Sequence, residues 1–167
     1  MSDGSYVTSS LKSHGMSGTA FAELMEAVLE KNVPFRFTAR GSSMTPFIRD
    51  GDVLIVSPVS LCIRRGDIVP FINPSNNQLM VHRIVDVSRE GCLIKGDNNS
   101  MPDGRIPTSI IIGRVVKVER GGRPARFGLG PERFLIAWLS NRCLLTRLVA
   151  SVRYALKPFA GKWIHPI

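Results

Sequence analysis

Ser43 has the surroundings expected of a nucleophile. It lies within residues 41–52, a stretch that joins a β-rich run to a second apolar run. Gly41 permits backbone conformations that other residues avoid, and Pro46 fixes the direction of the chain just after the serine. The Ser43 hydroxyl is therefore expected on a stiff, accessible turn at the end of a strand. The alternative is a hydroxyl that only satisfies the turn, as serines do in many loops.

His82 is the histidine best placed to act as the base that a nucleophilic serine requires. The other two histidines lie near the two ends of the sequence, in segments expected to be mobile. His82 instead lies in an alternating, strand-like run over residues 79–87. Downstream, Asp97 and Asp103 offer carboxylates that could hold an imidazole in place. The alternative for a single strand histidine is an ordinary hydrogen-bonded residue.

Five short motifs give these residues a family context. In chain order they are Gly41-Ser42-Ser43-Met44-Thr45-Pro46 with Gly51-Asp52, Gly66-Asp67-Ile68-Val69, His82-Arg83-Ile84-Val85, Gly96-Asp97-Asn98-Asn99 with Asp103, and Ile112-Gly113-Arg114-Val115. This pattern resembles the type I signal peptidase family of the S24/S26 peptidase superfamily. It is most similar to the branch with a Ser/His catalytic pair, found in endoplasmic-reticulum, archaeal and some bacterial enzymes. The common bacterial branch and the LexA-like autoproteases carry a lysine where His82 stands.

The resemblance implies a role for each polar residue of the motifs. Ser43 would attack a peptide carbonyl while His82 takes its proton. Asp103 would orient His82, and Asp97 would be a second, supporting carboxylate in the same pocket. The alternative for Asp97 is a loop residue in an Asx turn. Lys95 is a competing base because it is the only lysine within the five motifs, but it does not occupy the position of the family's lysine.

The oxyanion hole and the substrate site are also expected near this serine. The backbone N–H of Ser43 is the first expected donor to an oxyanion. Many bacterial relatives have a helping hydroxyl two positions earlier, but Gly41 stands there, so either Ser42 substitutes or the hole relies on backbone and water. The family's preference for a small residue before the cut requires a shallow pocket. Met44 and Val81 are candidates to line it, and their alternative role is ordinary core.

An extended peptide substrate is expected to add to two strand edges, at residues 37–41 and 79–82, with its side chains alternating in and out. Gly41 ends the first of these edges and is therefore a candidate substrate contact. The resemblance covers about residues 35–120 and implies cleavage of a precursor polypeptide. Nothing in the sequence calls for a metal or an organic cofactor.

The hydrophobic pattern predicts a fold of short strands. They are expected at residues 35–40, 52–57, 67–72, 79–87, 91–95 and 110–119. Strands of this length and spacing predict an all-β core, a small coiled β-barrel or sandwich like those of LexA and signal peptidase, over residues 34–120. Pro70 must then lie on a sheet edge or at a bulge. Three scattered cysteines make a disulfide framework improbable, and Cys62 and Cys92 are expected in the core.

Two extensions are expected to flank this core. Residues 1–33 are predicted to form a polar, disordered leader and then a short amphipathic helix with apolar positions from Phe21 to Leu29. Residues 121–167 are predicted to form a basic extension with a helix from Phe134 to about Tyr154. The leader lacks the apolar core of a signal peptide, and neither helix has the ~20 apolar residues of a bilayer span. The expected location is therefore cytoplasmic or peripheral to a membrane.

The charge of the chain is concentrated in its last third. Residues 1–113 contain 11 basic and 11 acidic residues, whereas residues 114–167 contain 11 basic residues and two acidic ones, a net charge of +9. Such a block suits anionic phospholipid or nucleic acid. The aromatic residues there are not arranged as a base-stacking platform, so a membrane surface bound through residues 131–163 ranks above nucleic acid. The oligomeric state is left open by the sequence.

Three functional hypotheses follow. The first is a serine endopeptidase that cleaves precursor proteins near a membrane surface. The second is LexA-like self-cleavage, for which Ala160-Gly161 is a candidate site. The third is a β domain that binds peptides or membrane partners without catalysis. The absence of the family's usual anchor and the glycine at position 41 favour it, whereas Ser43, His82 and Asp103 together argue against it.

Overall fold

A computed structural model of the 167-residue chain describes residues 7–8, 17–59, 62–125, 127–142, 144 and 151. Within these residues there are nine strands: β1 (Val7–Thr8), β2 (Phe35–Thr38), β3 (Val53–Ser57), β4 (Ile68–Asn73), β5 (Gln78–Ser88), β6 (Gly91–Lys95), β7 (Gly104–Ile106), β8 (Arg114–Arg120) and β9 (Arg123–Pro124). There are also two α-helices, α1 (Gly18–Leu29) and α2 (Arg133–Asn141), and a 3₁₀ turn at Thr108–Ile110.

The strands form two sheets. The first has the order β1-β2-β3-β8-β9 and the second the order β4-β5-β6-β7. Strand β1 runs parallel to β2, and every other pair is antiparallel. Consecutive strands of the second sheet are neighbours, as in a meander; β4–β5 and β5–β6 are joined by short turns and β6–β7 by the longer loop at residues 96–103. The fold is therefore a small two-sheet β structure with a helix at either end of the described chain, as the sequence predicts.

Two hydrophobic cores hold the layers together. The first core joins α1 and the first sheet through Met25, Phe35 and Leu54 and reaches Ile68 of β4. The second core lies on one face of the second sheet and contains Phe71, Ile84 and other residues with no exposed surface or nearly none. Because side chains alternate along a strand, β4 and β5 contribute to both cores from their opposite faces.

Most strand positions agree with the hydrophobic pattern to within one or two residues. The strand predicted at 110–119 begins later, at Arg114, because a 3₁₀ turn occupies the residues just before it. Pro70 lies in β4, an edge strand of the second sheet, as its missing N–H requires. Three strands were not predicted: β1, β7 and β9 have only two or three residues each, too few for a periodic signal.

Three expectations about the flanking segments and the cysteines need correction or limits. The leader expected to be disordered contains β1, and α1 begins at Gly18, earlier than its apolar pattern, because the Ser17 hydroxyl accepts a hydrogen bond from the Ala20 N–H as an N-cap. Cys62 is exposed and only Cys92 is a core residue. Most of the predicted C-terminal helix beyond residue 142 lies outside the described residues, and the described helices include none long and apolar enough to cross a bilayer.

Candidate active site

Three polar side chains meet in a continuous line of hydrogen bonds. Ser43 Oγ lies 2.8 Å from His82 Nε2, and His82 Nδ1 lies 2.6 Å from Asp103 Oδ2. The histidine is only 1% exposed, whereas Ser43 is half-buried. When His82 Nδ1–H donates a hydrogen bond to the Asp103 carboxylate, Nε2 is left as an acceptor for the serine hydroxyl. This is the arrangement of a nucleophile, a base and an orienting carboxylate.

Strand geometry places each member of this line. His82 lies in the middle of β5, opposite Val69 of β4, and its ring is 6.2 Å from that of Phe71. The Asp103 N–H donates to the carbonyl of Ile94, which extends the pairing of β6 and fixes the aspartate beside the histidine. The imidazole is therefore held by the packed second sheet and not by a loop.

The turn that carries Ser43 is held from two directions. The Ser42 carbonyl accepts hydrogen bonds from the Thr45 N–H and the Thr45 hydroxyl, and the Thr45–Pro46 peptide bond is cis. On the other side, the Asn98 N–H donates to the Ser43 carbonyl at 2.7 Å. A Cβ at Gly96 would lie 2.8 Å from that same carbonyl oxygen, so only glycine permits this approach.

Asp52 stabilises the C-terminal end of the turn that carries Ser43. Its carboxylate accepts hydrogen bonds from the Arg49 N–H at 2.8 Å and from two nitrogens of Arg120 at 2.7 and 2.9 Å. Burial alone would raise the pKa of Asp52, but the hydrogen bonds from Arg120 and Arg49 outweigh it and hold the pKa below its ordinary value. The Gly-Asp pair at the end of the serine motif is therefore structural.

Asp97 forms a buried ion pair with Arg83. The Arg83 Nε and Nη2 atoms donate to the Asp97 carboxylate at 2.8 to 3.2 Å, and neither side chain has any exposed surface. Arg83 Nη1 also donates to the carbonyls of Gly66 and Gly128. The hydrogen bonds of the Asp97 carboxylate therefore go to Arg83. The sequence had suggested two other roles, a partner of His82 and an Asx turn.

Lys95 lies on the opposite face of the second sheet from His82. It pairs with Arg83 across β5 and β6, and neighbouring residues of a strand point to opposite faces. The Lys95 ammonium is buried and donates to the Ser140 carbonyl at 2.5 Å, near the end of α2. A cation is favourable at a helix C-terminus. These contacts fit a residue that fastens α2 to the sheet.

The expected oxyanion donors differ in availability. Among the described residues, the backbone N–H of Ser43 has no hydrogen-bond acceptor, which leaves it free for a substrate oxygen. Ser42 is exposed, and its carbonyl also accepts from the Asn98 side chain at 3.2 Å. The role of either donor stays a prediction.

The three expected substrate contacts lie in different environments. Gly41 is exposed with φ of 91°, a conformation that favours glycine, and its N–H donates to Asp50. Met44 is buried in the first core, and Val81 packs against that core from the face of β5 opposite His82. Met44 and Val81 therefore have the contacts of ordinary core residues, which is the alternative role that the sequence suggested for them. Their part in a substrate pocket stays a prediction.

Sequence reasoning missed Arg83 and Asn98 as site residues. Both lie inside the motifs used to identify the site, directly beside His82 and Asp97. A charged residue in the centre of an apolar strand signals a buried partner, because an unpaired buried charge is costly. That signal was available for Arg83, whereas the backbone contact made by Asn98 has no sequence signature. The described residues contain no cluster of His, Cys, Asp and Glu that could hold a metal ion.

Comparison with known proteins gives one family assignment. The family model described as Peptidase S24-like matches residues 8–116, about two thirds of the chain and all members of the hydrogen-bonded line. No curated protein gives a significant match to this sequence. Helix α2 lies outside the matched residues.

Proposed function

The chain belongs to the Peptidase S24-like family, and from this we propose that it is a serine endopeptidase resembling signal peptidase I. It cleaves precursor polypeptides after small residues. The observation that carries the proposal is the line of hydrogen bonds from Ser43 through His82 to Asp103. Its distances are those of a nucleophile and base in contact, with a third group to orient the base.

The reaction is an acyl transfer in two steps. Ser43 Oγ attacks the substrate carbonyl while His82 Nε2 takes the hydroxyl proton, and the Ser43 N–H stabilises the resulting oxyanion. His82 then gives the proton to the leaving amine, and the C–N bond breaks to leave an acyl-enzyme. Water repeats the sequence through the same histidine and restores the serine. Asp103 keeps the imidazole in the required tautomer throughout.

The substrate adds to strand edges beside this line. Residues 78–82 of β5 pair with β4 on one side, and β6 pairs with β5 only from Arg83 onward. In β2, strand β1 covers Phe35 and Arg36 and ends before Phe37. Both predicted edges thus have unpaired backbone within the described residues. An extended peptide that binds there would pass Ser43 with its carbonyl groups at strand spacing.

The test is peptidase activity on a peptide with an Ala-X-Ala site, in detergent and in anionic lipid. Wild type is compared with Ser43→Ala, His82→Ala and Lys95→Ala. The expected result is loss of about 10⁴-fold or more with the first two variants and retained activity with the third. A wild-type protein that is folded, inert and unreactive toward serine-acylating inhibitors would overturn the proposal and favour a binding domain.

Self-cleavage is separated by mass spectrometry of the purified chain. Shortening that depends on Ser43, with no cleavage of added peptides, would replace the proposal by LexA-like autoproteolysis. The Ala160-Gly161 dipeptide suggested for that reaction lies outside the described residues.

A further inference from the structure

Helix α2 is apolar on two faces. Its inner face packs on the protein through Ile136 and Ala137, which are almost fully buried. Its outer face carries Phe134, Leu135 and Trp138, whose exposed fractions lie between 39% and 59%. At about 100° per residue, these three side chains lie within roughly one third of the helix circumference. A helix at the surface of a globular protein normally has polar residues at such positions.

Arginines border the aromatic residues of this face. The Arg133 guanidinium carbon lies 5.0 Å from the Phe134 ring centroid, and that of Arg142 lies 4.7 Å from the Trp138 ring centroid. Arg142 is exposed, and helical spacing places it on the same side of α2 as Leu135 and Trp138. Side chains of this kind combine an apolar body with a charged or polar end, which suits a boundary between hydrocarbon and water.

The sequence that contains α2 is strongly basic. Residues 114–167 carry a net charge of +9, and Glu132 is the last acidic residue of the chain. The Glu132 carboxylate is engaged by the N–H groups of Gly128 and Gly130 at 2.7 and 3.0 Å. Hydrogen bonding from Gly128 above all lowers the pKa of Glu132. Arg133 is paired with the buried carboxylate of Asp67 at 3.2 Å. An anionic surface facing α2 therefore meets the Arg142 guanidinium and no free carboxylate from this part of the sequence.

We propose that the outer face of α2, formed by Phe134, Leu135, Trp138 and Arg142, binds the surface of an anionic phospholipid membrane. The apolar side chains enter the headgroup boundary, and the basic residues meet the lipid phosphates. Charge complementarity favours this occupant over a second copy of a chain with the same +9 excess.

Helix α2 also packs against the segment that carries the nucleophile. Phe47, four residues after Ser43, packs in one buried cluster with Ile136 and Leu139 of α2. Lys95 fastens the other end of α2 to the second sheet through the Ser140 carbonyl. The membrane surface and the serine turn are thus joined through one packed unit. The membrane contact itself does not depend on peptidase activity, so its failure and that of the proposed function are distinguishable.

The test measures binding of the full Ser43→Ala chain to sedimenting vesicles. Vesicles of phosphatidylcholine with about 30 mol% phosphatidylserine are compared with phosphatidylcholine alone, at about 0.1 M and about 1 M salt. We expect binding to the anionic vesicles that weakens about tenfold or more at high salt. Trp138 fluorescence, read in a Trp163→Phe background because the chain has two tryptophans, should shift to the blue on binding.

Three variants assign the contact to α2. The double change Leu135→Ser and Trp138→Ser should weaken binding by about tenfold or more, because it removes most of the apolar surface that enters the lipid. Arg142→Glu should weaken it while Arg142→Lys retains it. The matched control is Val116→Ser, which removes an exposed apolar side chain of similar exposure from β8 and should change nothing. A melting curve shows that each variant is folded.

Each other result overturns the proposal. Equal binding to neutral and anionic vesicles would remove its electrostatic part, and binding unaffected by the α2 variants would place the contact elsewhere. If the wild type ignores vesicles but forms dimers that the double variant abolishes, the face is a self-association surface. If it ignores vesicles and stays monomeric, the face has no lipid role.

Discussion

The two faces of β5 carry opposite kinds of polar chemistry one residue apart. On one face, His82 joins a half-buried serine and a carboxylate that is 11% exposed, so protons can reach the line from solvent. On the other face, Arg83 and Asp97 are fully buried, and the arginine donates hydrogen bonds to a carboxylate and two carbonyls. The comparison shows that one strand can carry a reactive histidine on one face and a buried ion pair, which anchors the strand, on the other.

The largest effect on activity is expected at Asp103, the carboxylate that orients His82. Asp103→Asn should lower kcat by about 10⁴-fold, equivalent to about 5.5 kcal/mol of transition-state stabilisation, because an amide favours the wrong histidine tautomer. The measurement is peptide cleavage under saturating substrate. Stability in urea should change by less than about 1 kcal/mol. A loss of activity smaller than tenfold would show that another group orients His82.

On the opposite face of β5, a substitution should change the stability of the fold. Arg83→Met leaves the buried Asp97 carboxylate without its partner, and we expect it to lower the free energy of unfolding by about 3–5 kcal/mol. Urea denaturation measures the change. The control is Arg40→Met, because the Arg40–Asp50 pair is exposed, with side-chain exposures of 70% and 61%, so its loss should cost less than about 1 kcal/mol. Equal costs for the two variants would contradict the proposed difference.

Lys95 separates stability from catalysis. Lys95→Met removes the buried hydrogen bond to the Ser140 carbonyl and should cost about 1.5–3 kcal/mol of stability. The folded variant should keep nearly full peptidase activity, because Lys95 lies on the face away from His82. If Lys95 were the general base, kcat would fall by about 10²–10⁴-fold instead. Denaturation and cleavage measured on the same preparation decide between these outcomes.

The smallest expected effect is the contribution of Asp52, at the end of the turn that carries Ser43, to stability at low pH. The pKa of Asp52 is lowered in the folded protein, so its contribution to stability is present above the unfolded pKa of about 3.9 and is lost as pH falls through the folded value. In Asp52→Asn the loss of stability between about pH 6 and about pH 3 should be smaller than in the wild type. Thermal melting across this range measures it. Identical pH slopes would show that Asp52 is not part of the acid response.

The sequence predicts β4, β5 and β6 of the second sheet well because their apolar patterns extend over five or more residues. Residues 79–87 differ by only one position at each end from Gln78–Ser88. The short strands β1, β7 and β9 have too few residues to show such a pattern, and they form by pairing with neighbouring strands. The start of α1 was missed for a different reason: its first turn is fixed by the Ser17 cap and has little apolar periodicity.

The candidate site was only partly predictable. The proximity of Ser43, His82 and Asp103 follows from the family resemblance, and the same resemblance placed Asp97 in their pocket. The partner of Asp97 depends on which face Arg83 occupies, which a motif does not reveal. Met44 and Val81 illustrate the same limit, since residues beside a nucleophile can point into the core.

The alternation of His82 and Arg83 also determines which sequence changes this protein can accept, in evolution or by engineering. A substitution in β5 alters one face, but an insertion or deletion of one residue would exchange the two faces. The arginine would then face the serine, and the histidine would enter the charge pair's place. Residues 78–81, which precede His82, should therefore accept changes of side chain far more readily than any change of length.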